Sequence, residues 1–232
     1  MYWEEKILDI DYRDKDLYAY LAAFMTENKR QHFARVLAER TRHVTVLLED
    51  IYQEQNASAV IRSADCFGIQ DVHVVEVNHR YNLNRKVLKG AAKWVDIHRY
   101  TSTQSALDKL KGEGFKLVAT SPHAEMTLDE LPVNEKVAFM MGTESTGLTD
   151  QAMEQADYQI KIPMYGFTES FNLSVSTALC LNTIATKLRK DENIAWQMSE
   201  DERQVLAMRW VLKCIRRSEL HIENFYKNLS HK

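Results

Sequence analysis

The chain has 232 residues, of which 45% are hydrophobic and 27% charged, with a formal charge of −3. That length allows one sizeable core with appendages, and the composition excludes wholesale disorder. The mildly acidic balance excludes a protein coated all over with basic residues.

The opening, MYWEEKILDIDYRDKD, is polar and acidic, unlike a signal peptide, and no apolar run in the chain approaches membrane-spanning length. Residues 14–42 have a helical pattern. Within them, KRQHFARVLAERTRH at 29–43 sets Lys29, Arg30, Arg35, Arg40 and Arg42 against Glu39. From 44 onward strands and helices alternate. VTVLL at 44–48 is a strand, 56–67 a helix, VHVVEV at 72–77 a strand, and WVDIHRY at 94–100 a further candidate strand. A helix at 103–112 follows, then FKLVAT at 115–120, VAFMM at 137–141, a helix at 150–156, YQIKI at 158–162 and a long helix at 173–190. DENIAWQMS at 191–199 connects to another helical pattern over 200–228.

Strand–helix alternation with near-continuous apolar strands predicts an α/β fold, a mostly parallel sheet covered by helices on both sides. Three parts result: a basic N-terminal helical arm at 1–43, an α/β domain at 44–190 and a C-terminal helical extension at 191–232. KLRK at 187–190 and RWVLKCIRR at 209–217 add two more basic clusters. Such patches suit a polyanionic partner, with a solvated helix face as the alternative. Cys66, Cys180 and Cys214 are odd in number and fall in apolar helical contexts, as reduced packing cysteines of a cytoplasmic protein would. The eight histidines are scattered without the Cys/His spacing of a zinc site, so no metal is expected.

Three stretches at strand-to-helix transitions are candidates for chemistry, because open α/β sheets bind ligands there. In NASAVIRSADCFG at 56–68, Asn56 is a candidate helix cap and Gly68 a left-handed terminator. Arg62 projects opposite the apolar stripe of Ala57, Val60, Ile61, Ala64 and Phe67, on a face with Ser58, Asp65 and Cys66. An Arg62–Asp65 surface pair is the alternative to a chemical role. In MMGTESTGLTD at 140–150, Gly142 permits close backbone approach, and Glu144 is the ionisable group between two glycines. In IPMYGFTESFNLSVSTA at 162–178, Ser170 or Asn172 is placed to cap the helix that begins near Leu173.

In order and spacing, N-x-x-A-x-x-R-x-x-x-x-F-G, G-x-E-x-x-G and I-P-M-x-G-x-x-x-S-x-N-x-S-V resemble the three motifs of the SpoU/TrmH branch of the SPOUT methyltransferases. The similarity spans about 44–190. Phe171, in SFNLSVS, stands where the family usually has leucine. The resemblance implies a deep trefoil knot in the C-terminal part of the sheet, S-adenosylmethionine held largely by backbone groups, and methyl transfer to a ribose 2′-hydroxyl of RNA. It places Thr120, Gly142, Ile162 and Phe171 at the cofactor pocket and Arg62 as the catalytic residue. Asn56, Glu144, Ser170 and Asn172 then order the site.

The resemblance also implies a homodimer, and the apolar 173–190 helix is consistent with one. A basic helix before the domain and helices after it are most similar to family members that methylate a guanosine in the tRNA D-loop. On that reading Lys29, Arg30, Arg35, Lys93, Lys187, Arg189 and Lys190 are candidate phosphate contacts. An rRNA methyltransferase, or a catalytically silent RNA-binding module, is the competing reading. Guanidinium groups lose their proton only above about pH 12, so Arg62 acts either as an unusual neutral base or as a cation stabilising the developing oxyanion.

Overall fold

Seven parallel strands form one sheet in the order β3-β2-β1-β6-β4-β7-β5. They are β1 (Val44–Glu49), β2 (Asp71–Val75), β3 (Asp96–Tyr100), β4 (Lys116–Thr120), β5 (Met126–Thr127), β6 (Val137–Met141) and β7 (Tyr158–Lys161). The computed structural model describes residues 8–79, 85–88 and 90–230, so the first seven residues of the acidic opening and the last two of the chain lie outside the described residues. The described residues divide into two compact units, an α/β unit over Thr41–Trp196 and a helical unit made from residues 8–40 and 197–230.

In the α/β unit every residue of β1, β2 and β6 is buried, as parallel strands covered on both faces must be. Alternation along the strands sorts them into two cores. Val44, Val46 and Leu48 of β1 and Phe139 of β6 pack with Ala57, Val60, Ile61 and Ala64 of α3 (Glu54–Cys66) and with Leu181, Ile184 and Leu188 of α7 (Leu173–Lys190). On the opposite face, Leu47, Ala138 and Met140 pack with Ala106, Leu107 and Leu110 of α5 (Thr103–Gly112) and with Ala152 of α6 (Asp150–Glu154). A short α4 (Arg85–Leu88) adds Leu88 to the first core. Truncating Phe139, which is fully buried, to alanine costs about 3–5 kcal/mol on general grounds.

The helical unit departs from two unbroken patterns. Residues 14–42 divide into α1 (Lys15–Ala22) and α2 (Glu27–Ala38), because the Thr26 side chain caps α2 by accepting from Lys29 N. Residues 200–228 divide into α8 (Glu200–Leu212) and α9 (Ser218–Ser230), with Arg217 in the left-handed region at φ 55°. Phe33 of α2 meets Trp210 of α8 edge-on at 5.6 Å. Among the described residues no helix is long and apolar enough to cross a membrane.

Beside the sheet edge, Asp71 and Asp96 face each other on β2 and β3, and Arg42 bridges both carboxylates. Burial alone would raise the Asp71 carboxyl; the His98 hydrogen bond at 2.8 Å and the Arg42 charge hold it below its ordinary value. His73, stacked on His98 at 4.7 Å and bonded to the Tyr100 hydroxyl at 2.8 Å, is driven down to about 4, first by burial and then by the neighbouring imidazole. Its unfolded counterpart titrates near 6.5, so between those values the unfolded chain binds more protons than the folded one. Stability is therefore full above pH 6.5 and falls as pH drops toward 4, by about 3 kcal/mol at most from this residue. Thermal unfolding across that range should show the decline, and His73→Asn should flatten it.

Candidate active site

Strands β1, β6, β4 and β7 lie side by side, so the loops leaving their C-terminal ends share one edge of the sheet. The three motifs occupy that edge. The first begins a turn earlier than its sequence pattern predicts. Gln53, without a side-chain cap bond, precedes α3, and the backbone N–H of Asn56 already donates to Gln53 O at 2.9 Å. Asn56 is thus in the first turn and not the cap, which leaves its side chain available. Gly68 takes the expected left-handed conformation at φ 77°. Ser58 is fully buried, so it does not share an open face with Arg62. Arg62 is exposed, and among the described residues it forms no hydrogen bond or ion pair, so the Arg62–Asp65 pair is not made.

Asn56 joins the three motifs. Its Nδ2 donates to Glu144 Oε1 at 2.6 Å and to Gln53 Oε1 at 3.3 Å, while its Oδ1 accepts from Asn172 Nδ2 at 3.2 Å. Asn172 Oδ1 in turn accepts from Ser174 N at 2.9 Å and caps α7. An ionised carboxylate only accepts, so Glu144 turns the Asn56 amide with its NH₂ toward the acid and its oxygen toward Asn172. That orientation makes Asn172 a donor through its own NH₂ and an acceptor at the helix start. One charge therefore sets the direction of the whole chain, and the Asn56–Glu144 bond is charge-assisted. Ser170 is exposed two residues before Asn172 and is not part of this chain.

The glycine-bounded loop is closed on itself. Thr143 and Gly147 exchange backbone hydrogen bonds at 2.9 Å in both directions, and the Thr143 and Thr146 hydroxyls meet at 2.6 Å. A Cβ on Gly142 would lie 2.1 Å from the backbone of Gly147 and Leu148, so no side chain fits there. The loop's exit is fastened by Glu49, the last residue of β1 and 2% exposed. Its carboxylate accepts from Thr149 N at 2.9 Å, Thr149 Oγ1 at 2.7 Å and Thr103 Oγ1 at 2.6 Å. Sequence reasoning missed Glu49, Gln53 and Thr149. The one available signal for Glu49 was an acid ending an otherwise apolar strand.

The third loop is open. From Met164 to Phe171 no backbone group hydrogen-bonds to another among the described residues. Tyr165 and Phe167 are almost wholly exposed, and Phe171 is 41% exposed. Thr120 ends β4 with its hydroxyl 3.5 Å from Met140 O, and Ile162 directly follows β7, which pairs with β4. Thr120, Gly142 and Ile162 thus stand at the ends of adjacent strands, while Phe171 lies farther along the exposed loop.

The basic candidates separate into two kinds. Arg30 pairs with Glu27 and donates to Ala22 O and Met25 O at 3.3 and 3.2 Å, closing the corner between α1 and α2. Lys187 donates to the carbonyls of Asp129 and Leu131. Arg189 donates to Ala185 O and Phe67 O and lies over the Trp196 ring at 4.8 Å. Lys93 lies over the Trp94 ring at 4.9 Å. Lys29 is 5.9 Å from the Phe33 ring, Arg35 bonds His32 Nδ1 at 3.0 Å, and Lys190 is exposed without an ion pair among the described residues. Among the described residues no three His, Cys, Asp or Glu side chains are grouped to hold a metal ion.

Comparison with known proteins places this geometry. The sequence profile of the SpoU rRNA Methylase family matches residues 43–182. A tRNA (guanosine(18)-2′-O)-methyltransferase of Borreliella burgdorferi is 38% identical over 205 residues, which is 88% of this chain and 93% of that protein. The crystal structure of the Aquifex aeolicus TrmH/SpoU tRNA modifying enzyme superposes with a TM-score of 0.74 at 26% identity, covering 82% of this chain and 98% of that one. The SpoU methyltransferase AviRb of Streptomyces viridochromogenes, solved in complex with AdoMet, shares the fold at a TM-score of 0.60 and 20% identity, over 67% and 64% of the two chains.

The buried Glu49 carboxylate gives a test of this construction. Glu49→Gln keeps the volume but turns an NH₂ toward one of the three donors. Unfolding in urea should show a loss of about 1–3 kcal/mol with an unchanged m-value.

Proposed function

Because the chain belongs to the SpoU rRNA Methylase family, we propose that it transfers a methyl group from S-adenosylmethionine to a ribose 2′-hydroxyl of RNA, on guanosine 18 of tRNA. The observation that carries this reading is the Glu144–Asn56–Asn172 chain, which links all three motifs, with Arg62 exposed on the same helix as Asn56 and forming no hydrogen bond or ion pair among the described residues. The substrate is taken from the Borreliella burgdorferi relative, whose length the match nearly spans. The RNA and the methyl donor both belong to the cytoplasm, where this reading places the protein.

The donor set fits the cofactor. Its ring and carboxylate edges need hydrogen-bonding partners, and the unpaired backbone of 164–171 faces no partner within the described residues. Thr120, Gly142, Ile162 and Phe171 would hold it, with the two loops forming the crossings of the family's knot. When bound, S-adenosylmethionine supplies a sulfonium methyl that passes to the ribose oxygen as its C–S bond breaks, leaving a neutral thioether. Arg62 holds the adjoining phosphate with its guanidinium and stabilises the oxyanion as the hydroxyl proton leaves to water. Asn56, Glu144 and Asn172 hold α3 against the two loops so that oxygen, methyl and sulfur align. Ser170 offers its hydroxyl to the incoming RNA.

A second copy of the chain completes the site. Tyr165, Phe167, Phe171 and Val175 of the third motif leave apolar surface uncovered, which a homodimer buries. Among the basic candidates, Lys29, Arg35, Lys93 and Lys190 are the phosphate contacts. The nitrogens of Arg30, Lys187 and Arg189 already serve carbonyls of the chain.

Arg62→Ala should lose methyl transfer to a tRNA transcript by orders of magnitude while binding S-adenosylmethionine normally in calorimetry. Arg62→Lys should keep measurable activity, since it keeps a cation; complete loss would move Arg62 to the role of base. Near-normal turnover in Arg62→Ala, or transfer to rRNA in place of tRNA, would overturn the corresponding part of the reading. Light scattering at micromolar concentration should give twice the mass of one chain, and a monomer would remove the dimer.

A further inference from the structure

The helical unit contains a cavity of about 370 Å³ that the reaction does not use. It lies between two corners, the Ala23–Thr26 turn after α1 and the Lys213–Arg217 turn after α8. Its volume is at the lower end of ligand-sized pockets, about 300–1,000 Å³. The lining is chemically divided. Among the described residues, Lys29 and Arg216 bring two cations that form no ion pair, and no carboxylate lines the cavity. Met25 and Ile215 supply apolar wall. Phe24, 52% exposed, and His221 bring two rings whose centroids are 4.1 Å apart. The acid nearest in sequence to Lys29, Glu27, is engaged by Arg30 and Gln31.

Two cations without an ion pair among the described residues, beside a half-exposed aromatic pair, select a ligand that is both anionic and flat. We propose that this cavity receives one unstacked nucleotide of the RNA substrate, its base against Phe24 and His221 and its phosphate between Lys29 and Arg216. Single-stranded loops of RNA are bound in this way, by stacking on aromatic rings with cations along the backbone. The proposal rests on the RNA reading above and assigns a role to the 209–217 cluster, which methyl transfer leaves unused. Arg217, in the left-handed region, turns the chain between Arg216 and α9, whose first turn carries His221, and both Arg216 and His221 line the cavity.

The test is equilibrium binding of a full-length tRNA transcript to the intact protein over a salt series, with calorimetric S-adenosylmethionine binding measured alongside. Arg216→Glu should raise the tRNA Kd at least about tenfold and reduce the salt slope by about one. Phe24→Ala should raise it about fivefold or more without changing the slope, because a stacking contact releases no counterion. Both variants should bind S-adenosylmethionine as the parent does. If both bind tRNA within twofold of the parent, the cavity is not a nucleotide site and the RNA reading stands. If the parent itself binds no RNA, both fall. Should Phe24→Ala unfold, the Kd and salt slope of Arg216→Glu decide the question alone.

Discussion

A single carboxylate orders the candidate active site. Glu144 is an acceptor only, so the Asn56 amide beside it has one favourable orientation, and Asn172 inherits its own from Asn56. Neutral amides facing one another without such a charge would have two nearly equivalent arrangements. The acid also explains why a loop as short as Gly142–Gly147 carries an ionisable residue at its tip. Its function there is to hold another motif in place, and no proton transfer has to be assigned to it.

The same economy of polar contacts appears below the loop. Glu49 is buried at the end of a strand, where an uncompensated carboxylate would be costly, and three donors from two other elements surround it. It ties β1 to the starts of α5 and α6 on the face opposite α3. The glycine loop is thus anchored on one side by Glu49 through Thr149 and on the other by Glu144 through Asn56. Among the described residues the third loop has no comparable anchor before Asn172. Segments fastened by side-chain hydrogen bonds and a segment open to solvent thus alternate along the edge of the sheet.

Charge counted along the chain is a poor guide to charge available at the surface. Arg30, Lys187 and Arg189 stand in basic clusters, yet each donates to backbone carbonyls of its own chain, where a long side chain completes the end of a helix or a turn. Arg42 likewise neutralises two aspartates across adjacent strands. Lys29 and Arg216 are different: they come from clusters far apart in sequence and line one cavity.

Most of the architecture was legible locally. Runs such as VTVLL and VAFMM have the composition of strands buried on both faces, and the 173–190 helix begins and ends where its pattern does. The three motifs carry the family by their order and spacing. Other features depend on pairing or packing with distant residues. β5 is two residues long and exists only through its pairing with β7, too short for any alternation to register. The breaks after α1 and α8 lie inside continuous helical periodicity, since a pattern of apolar positions records a face and not where the chain turns. Asn56 looks like a cap because cap preference is a local property, whereas the partners through which it joins the other two motifs lie 88 and 116 positions away. The sequence by itself determined which residue types stand at the ends of which elements. Only the tertiary structure decided which polar groups meet, because a hydrogen bond depends on distances of a few tenths of an ångström between segments that no local rule connects.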